Sequence, residues 1–174
     1  MRLAIIGATG MVGREIIKVL EAREFPITKI YFVASNKSTG SSIKFLGKQH
    51  TVISIDKLLQ INLDLALLSA GSDVSKKIAP ILSEKGCRVI DNSSFWRMAP
   101  NHKLIIPEIN GSKITPQDFI ISNPNCSTIQ LLMALAPLHK HFQATRVVVS
   151  TYQSVTGTGQ KALSQLEKEE KNQS

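Results

Sequence analysis

The stretch Leu3-Ala4-Ile5-Ile6-Gly7-Ala8-Thr9-Gly10-Met11-Val12-Gly13, close to the start of the chain, decides the fold. Its apolar first part is typical of a buried β-strand, and residues 12–23 carry apolar side chains at helical spacing. The glycines between them have the spacing G-x-x-G-x-x-G. A glycine turn between a strand and a helix brings the helix N-terminus close to a dinucleotide pyrophosphate, so this stretch predicts a nucleotide-binding unit.

Apolar runs and amphipathic segments alternate along the rest of the chain, which predicts βα units and a mostly parallel sheet. We therefore predict an α/β protein with a Rossmann-like, doubly wound sheet, followed by the start of a second, α+β domain. The predicted strands are residues 2–6, 29–34, 63–69, 87–91, 119–121 and 146–152. The predicted helices are residues 12–23, 72–85, 129–140 and 161–171, with a short strand or hairpin within 45–55 and a long loop over 95–110.

The composition narrows the class of protein. A chain of 174 residues has room for one domain and part of a second. Hydrophobic residues make up 43% of it, enough for a core, and charged residues 20%, which argues against disorder. The net charge of +8 comes from lysines scattered along the sequence. This pattern indicates a basic surface that attracts anionic substrates and cofactors, rather than a nucleic-acid site.

Targeting and redox signals are sparse. No apolar run reaches about eighteen residues, and the N-terminus leads directly into a strand, so we expect no membrane span and no signal peptide. Two cysteines, Cys87 and Cys126, do not make a disulfide framework. We therefore expect a cytoplasmic protein, and we expect no metal site.

The three glycines of the opening motif have separate predicted roles. Gly7 permits the tight turn, Gly10 lets the backbone approach a pyrophosphate, and Gly13 lets the helix pack against the sheet. The small-residue turn Ser69-Ala70-Gly71, after the strand at 63–69, marks the place where a ribose or nicotinamide would lie.

The end of the second strand bears on the choice of cofactor. Proteins that bind NAD place an acidic residue there for the ribose 2′-hydroxyl. The sequence here is Ala34-Ser35-Asn36-Lys37-Ser38-Thr39-Gly40, which has no carboxylate and a lysine flanked by hydroxyl groups. A lysine suits a 2′-phosphate, so we predict NADP rather than NAD.

Cys126 is the candidate nucleophile. It lies in the turn Asn123-Pro124-Asn125-Cys126-Ser127-Thr128, which leads into a predicted helix. Unpaired N–H groups at a helix start favour a thiolate, and a thiolate attacks carbonyl carbon. Cys87 begins an apolar strand and is interpreted as a structural cysteine. A dinucleotide site and an activated thiol in one chain suggest hydride transfer to or from a thioester.

Six segments, in order along the whole chain, resemble the aspartate-semialdehyde dehydrogenase family. The cysteine segment and the Tyr152-Gln153 segment are the most specific, and the opening glycines are the least. The segments are residues 7–13, 91–94 (Asp-Asn-Ser-Ser), 95–98 (Phe-Trp-Arg-Met), 106–110 (Ile-Pro-Glu-Ile-Asn), 123–130 and 150–159. Trp96 departs from the small or plain aromatic residues expected at its position.

The resemblance implies a reaction and a role for each matching residue. The reaction is the reduction of 4-aspartyl phosphate by NADPH to aspartate semialdehyde, with release of phosphate, in lysine, threonine, methionine and diaminopimelate synthesis. Cys126 would form the thioester, Gln153 would orient the acyl group, and Asn125 would lie beside the reacting carbonyl. Arg97 would bind the substrate phosphate. The cofactor would contact Gly7, Thr9, Gly10, Met11, Val12, Gly13, Ser35, Lys37, Ser38, Gly71, Thr156 and Gly157.

The resemblance also implies a second half. Members of the family are roughly twice this length. We therefore interpret residues 1–126 as the NADP-binding domain and residues 127–174 as the truncated beginning of a catalytic and dimerisation domain. None of the four histidines matches the family's catalytic histidine. We expect slow or no turnover by this chain alone, since loss of general acid–base help costs about 10²–10⁴-fold. The complete enzyme would be a homodimer or tetramer acting on small molecules.

Two alternatives stay open. One is an enzyme of the N-acetyl-glutamyl-phosphate reductase type, which uses the same chemistry on a different acyl chain. The other is a non-catalytic dinucleotide-binding remnant. The segments around Cys126 and Gln153 favour the aspartate enzyme over the first alternative.

Overall fold

The opening apolar run forms an interior strand of a parallel sheet in a computed structural model, which describes residues 1–172. The strands are β1 Arg2–Ile6, β2 Lys29–Val33, β3 Ser42–Phe45, β4 Lys48–Thr51, β5 Leu65–Leu68, β6 Arg88–Asp91, β7 Lys103–Leu104 and β8 Ile120–Ser122. The helices are α1 Met11–Ala22, α2 Ile55–Leu58, α3 Ser72–Glu84, α4 Pro107–Asn110, α5 Cys126–Phe142 and α6 Gln160–Asn172. Two 3₁₀ turns cover Gly111–Lys113 and Val155–Thr158.

Six strands pair in the order β2-β1-β5-β6-β8-β7, and all of these pairs are parallel. β3 and β4 form a separate antiparallel hairpin over residues 42–51, which overlaps the segment 45–55 predicted to hold a short strand or hairpin but begins three residues earlier. The prediction of a Rossmann-like, mostly parallel α/β fold is therefore confirmed.

Both faces of the sheet are buried at β1, and side chains alternate between them along this strand. Leu3 and Ile5 pack in one hydrophobic cluster together with Ile17 and Leu20 of α1. Ala4 and Ile6 belong to a second cluster that includes Ile78, Ala79 and Leu82 of α3. A sheet covered by helices on both faces is a doubly wound sheet, in which strands are apolar throughout because neither face meets water.

The order of the strands positions the site. From β1 the chain moves outward in one direction to β2, and β5, β6 and β8 lie on the other side. Ligands of open α/β sheets bind where the order reverses, beyond the carboxyl ends of the strands. Here that point lies between β1 and β5, so the turns after those strands face each other.

The predicted strand at residues 146–152 is wrong for the described part of the chain, which has no regular structure at 143–154. Val148 is 77% exposed and Tyr152 is fully exposed. A strand needs a neighbour for its backbone hydrogen bonds, and none of residues 1–172 pairs with this segment. The β-branched composition predicted a strand, but its pairing depends on a partner.

Two short helices were absent from the sequence-based prediction. α2 begins after Ser54, whose hydroxyl accepts a hydrogen bond from the backbone N–H of Lys57 at 3.3 Å. α4 begins at Pro107, inside the segment expected to be a loop. A serine N-cap and a proline at the first helical position are both signals of a helix start.

Among residues 1–172, no helix combines the length and the apolarity needed to cross a bilayer.

Candidate nucleotide and thiol site

Gly7 and Gly13 bring the turn after β1, the turn after β5 and α1 into close contact. Gly7 has φ +91°, and a Cβ there would lie 2.3 Å from the carbonyl oxygen of Ser69. A Cβ on Gly13 would lie 2.2 Å from the carbonyl oxygen of Gly7. Neither space admits a carbon atom, so only glycine permits this packing. The backbone of Val33 completes the turn, because its carbonyl accepts hydrogen bonds from the N–H groups of Gly7 and Ala8 at 2.8 and 3.0 Å.

Two helix N-termini at this edge of the sheet lack a side-chain cap. Gly10 is the N-cap of α1, and Gly71, with φ +88°, is the N-cap of α3. Because glycine has no side-chain acceptor, the first N–H groups of both helices stay available for another partner. Free N–H groups and the helix dipole attract anions such as a pyrophosphate. The glycine turn and these two termini fit a dinucleotide cofactor.

A cavity of about 700 Å³ lies between these elements. It is bounded by the turns after β1, β5 and β6, by the turn before α5, and by the 3₁₀ turn near residue 156. Eight of the predicted site residues line it: Gly10, Met11, Val12, Gly71, Arg97, Asn125, Thr156 and Gly157. The predicted cofactor and substrate residues thus meet at one cavity.

Six further residues line the cavity: Ser69, which belongs to the predicted turn at 69–71, and Ser72, Asn92, Ser93, Ser94 and Gly159, which were not in the predicted site. Most carry small polar side chains, which supply hydrogen bonds without filling the space. A signal for them is present in the sequence, since Ser69 and Asn92 come directly after buried strands. The carboxyl ends of neighbouring parallel strands meet at one edge, so such residues are candidates for any site there.

The predicted 2′-phosphate residues lie outside the lining of this cavity. Ser35, Lys37 and Ser38 occupy the turn that follows β2, where the carbonyl of Ser35 accepts a hydrogen bond from the N–H of Ser38 at 2.9 Å. Lys37 is exposed. Thr9 lines a separate cavity of about 500 Å³, together with Arg14 of α1. The strand β3 also borders this cavity.

Cys126 is the first residue of α5 and is exposed. Asn125 caps this helix, because its Oδ1 accepts hydrogen bonds from the N–H groups of Ser127 and Thr128 at 3.0 and 3.4 Å. The Nδ2 of the same amide donates to Oε1 of Gln153 at 3.2 Å, and that oxygen also lies 4.0 Å from the Sγ of Cys126. The three predicted residues of the thiol site are therefore in mutual contact.

Cys87 has the opposite environment. Its side chain is 1% exposed in the core beside β6. Burial, chiefly, raises the pKa of the Cys87 thiol to about 11. Since the thiolate is the reactive form, Cys87 is inert near neutral pH, and its interpretation as a structural cysteine is consistent with this burial.

Arg97 joins the ends of two strands. Its Nε donates to the carbonyl of Asn123 at 3.0 Å, and its Nη2 donates to the carbonyl of Asn92 at 3.0 Å. The two asparagine side chains also meet, with Nδ2 of Asn123 donating to Oδ1 of Asn92 at 2.5 Å. These bonds connect the turn after β6 to the turn that leads into Cys126.

Comparisons with known proteins identify the family of the chain. Residues 2–117 match the family model described as semialdehyde dehydrogenase, NAD binding domain. Aspartate-semialdehyde dehydrogenase of Aquifex aeolicus is 47% identical over 98% of this chain and 51% of its own length. The enzyme of the same name from Shewanella sp. is 45% identical over 94% of this chain and 49% of its own.

A solved structure shows the same similarity in three dimensions. The crystal structure of aspartate semialdehyde dehydrogenase II from Vibrio cholerae, complexed with ASA, has a TM-score of 0.89 and 40% identity. The match covers 95% of this chain and 50% of that one. The chain thus spans about half the length of the curated relatives it matches. With two thirds of its residues inside the family model, the chain belongs to the semialdehyde dehydrogenase family and contains its NAD-binding domain.

Proposed function

We propose that the protein reduces 4-aspartyl phosphate to aspartate semialdehyde with NADPH, through a thioester on Cys126. The observation that carries the proposal is the placement of Cys126. It is exposed at a helix N-terminus, in contact with Gln153, and next in sequence to Asn125, which lines the cavity together with Gly10 and Thr156. The names of the matched relatives support the choice of substrate.

The first step is acyl transfer to sulfur. The Cys126 thiolate attacks the acyl carbon, a carbon–sulfur bond forms, and the carbon–oxygen bond to phosphate breaks, so phosphate leaves with the electron pair. Cys126 lies at the N-terminus of α5, the end of a helix that favours a nearby negative charge. Gln153 is the side chain that would orient the acyl group, since its amide contacts both the sulfur and Asn125.

Arg97 is the proposed ligand of the substrate phosphate. Its two described hydrogen bonds, to backbone carbonyls, use two of the five N–H donors of a guanidinium group. The remaining donors are available to phosphate oxygens, and the group lines the cavity. A guanidinium held by two carbonyls has a fixed direction, which suits recognition of a tetrahedral anion.

NADPH would be held by the glycine turn, the N-termini of α1 and α3, and the segment at Thr156-Gly157. When bound, the cofactor would supply the hydride that reduces the thioester carbonyl; the carbon–sulfur bond then breaks, so the aldehyde leaves and the Cys126 sulfur keeps the electron pair. The residues of this chain contribute the sulfur, the orientation of the acyl group by Gln153, and the charge of Arg97. Ser35, Lys37 and Ser38 are the proposed contacts of the 2′-phosphate, because this turn offers a cation and hydroxyl groups but no carboxylate.

Further parts of the proposal follow from the family resemblance. Residues 1–126 are the proposed NADP-binding domain, and residues 127–174 the beginning of a catalytic and dimerisation domain. The complete enzyme would be a cytoplasmic homodimer or tetramer in the synthesis of lysine, threonine, methionine and diaminopimelate. We expect the 174-residue chain alone to turn over slowly, because none of its histidines matches the family's catalytic one.

Acylation of the purified chain tests the function without requiring full turnover. After incubation with 4-aspartyl phosphate, intact-mass and peptide mass spectrometry should find one aspartyl group, attached at Cys126, with release of one phosphate. N-acetylglutamyl phosphate serves as the competing substrate, and we expect it to acylate at least about 10-fold more slowly. Equal rates would favour the N-acetyl-glutamyl-phosphate reductase type, and no adduct with either would contradict the proposal.

The cofactor assignment has its own test in Lys37→Glu. A carboxylate at this position would repel the 2′-phosphate and offer an acceptor to a ribose 2′-hydroxyl. We expect the Kd of NADPH to rise by about 10-fold or more while the Kd of NADH stays within about 2-fold, each measured by titration of nucleotide fluorescence. Lys113→Glu, at an exposed position of the 3₁₀ turn Gly111–Lys113, is the matched control for the change in net charge. A parallel loss of both nucleotides would show the assignment to be wrong.

A further inference from the structure

We propose that Trp96 is a positioning residue for Arg97, and that it acts through a hydrogen bond to Ser75. This inference rests on the proposed role of Arg97 as the phosphate ligand. Trp96 is the residue that departs from the small or plain aromatic residues expected at its position. It is also the only tryptophan of the chain.

The indole N–H has a buried and fixed acceptor. Nε1 of Trp96 donates to the Oγ of Ser75 at 2.8 Å, and Ser75 is 1% exposed. Ser75 lies in the first turn of α3, where its own N–H donates to the carbonyl of Gly71 at 3.1 Å. Gly71 is the helix N-cap and lines the nucleotide cavity. The bond therefore connects the loop after β6 to the helix that faces the nucleotide.

The indole ring is also confined by its neighbours. Phe95 and His102 meet it edge to face, with ring centroids 4.7 and 4.6 Å from its centroid. The ring packs against the hydrophobic cluster that contains α3 residues. A phenylalanine at position 96 would keep this packing, but it has no donor, so the Ser75 hydroxyl would lose a partner inside the protein.

Additional bonds fix the same loop. The Oγ atoms of Ser72 and Ser94 lie 3.1 Å apart, which makes a second connection to α3. At the start of the loop, the Oγ of Ser93 donates to Oδ2 of Asp91 at 2.6 Å, and Asp91 is fully buried. The loop from 91 to 97 is thus held at its start, in its middle and at Trp96, directly before Arg97.

The position of the Arg97 backbone decides where its charge can lie. The guanidinium reaches the carbonyls of Asn92 and Asn123 at 3.0 Å each, so a shift of the loop breaks these bonds as well. The bond from Trp96 to Ser75 is the last restraint before this residue. Losing it should weaken phosphate binding and leave binding at the glycine turn of α1 unaffected.

The test is a double-mutant cycle on the purified chain with Ser75→Ala, Trp96→Phe and the double variant. Isothermal titration calorimetry gives the Kd of inorganic phosphate, and titration of nucleotide fluorescence gives the Kd of NADPH. We expect each single variant to weaken phosphate binding by about 5- to 10-fold, with NADPH affinity within about 2-fold. The double variant should be no weaker than either single one, because both remove the same bond.

Controls separate positioning from damage to the fold. Ser83→Ala removes another part-buried hydroxyl of α3, whose Oγ donates to the carbonyl of Pro80 at 2.8 Å, and it should change neither Kd. The emission of the single tryptophan should shift in Ser75→Ala and stay unchanged in Ser83→Ala. Unaltered NADPH affinity shows that a variant is folded. If either Ser75→Ala or Trp96→Phe fails this criterion, the phosphate Kd of the other variant decides whether the positioning role holds.

Arg97→Ala distinguishes the positioning role of Trp96 from the phosphate-binding role of Arg97. Suppose that the unaltered chain binds phosphate and that Arg97→Ala abolishes this binding. If Ser75→Ala and Trp96→Phe then both bind phosphate within about 2-fold of the unaltered chain, the positioning role of Trp96 is overturned, while the phosphate site at Arg97 stands. The positioning role is also overturned if the loss of phosphate affinity in the double variant equals the product of the losses in the two single variants. If the unaltered chain binds no phosphate, the proposed role of Arg97 fails, and the role of Trp96 fails with it.

Discussion

Replacing Cys126 with serine is expected to reduce acylation by 4-aspartyl phosphate by roughly 10³-fold or more, because it removes the nucleophile itself. Serine keeps the size of the side chain at the first position of α5. A hydroxyl at neutral pH is almost entirely protonated, and the proposed chemistry assigns no residue of this chain to deprotonate it. The helix N-terminus, Asn125 and Gln153 remain in place in this variant.

The other cysteine supplies the matched control. Cys87→Ala removes a thiol that is 1% exposed and whose pKa burial raises to about 11. We expect this variant to be acylated at a rate within about 2-fold of the unaltered chain, because the thiolate population of Cys87 is negligible near neutral pH. It should lose some stability, since the alanine leaves a small cavity in the core.

Phosphate release in a single-turnover assay, paired with peptide mass spectrometry, measures both variants. The proposal fails if Cys126→Ser is acylated at a rate close to that of the unaltered chain, or if the adduct is found on Cys87. Calorimetric binding of inorganic phosphate to Cys126→Ser adds a second criterion. Binding should persist, because Arg97 contacts Asn92 and Asn123 rather than the sulfur.

The parts of the site that were predicted from the sequence depend on local chemistry. The spacing of Gly7, Gly10 and Gly13 fixes a strand–turn–helix unit within a few residues, and the structure has β1, the turn and α1 there. Likewise the turn at 123–128 was predicted to lead into a helix, and α5 begins within it at Cys126, after the N-cap Asn125. Such features need no knowledge of distant residues.

The features that were missed depend on tertiary contacts. Ser72 and Ser94 meet only because α3 and the loop after β6 lie side by side. The acceptors of Arg97 are backbone carbonyls, which every residue has, so no sequence pattern identifies them. The segment at 146–152 shows the reverse case. Its composition suits a strand, and a strand also needs a partner that no pattern within the segment provides.

A methyl group at position 13 is expected to have the second large effect, on the fold rather than the chemistry. In Gly13→Ala the new Cβ would lie 2.2 Å from the carbonyl oxygen of Gly7 and 2.8 Å from the Cα of Ala8. Both are backbone atoms, so α1 must move away from the turn. Overpacking of this kind costs about 3 kcal/mol of the free energy of unfolding, and the displaced helix N-terminus should weaken NADPH binding by about 10-fold or more.

Gly111→Ala is the control that separates this contact from a general effect of alanine. Gly111 has helical angles, φ −57° and ψ −31°, and its new Cβ would lie 3.7 Å from the Cβ of Pro107, an ordinary contact. Urea denaturation should find its free energy of unfolding within about 0.5 kcal/mol of the unaltered chain. If Gly13→Ala were equally harmless in urea and bound NADPH normally, α1 would not pack against the turn as described. The cofactor site built on that contact would then be wrong, because the N–H groups proposed to meet the pyrophosphate have their position only through it.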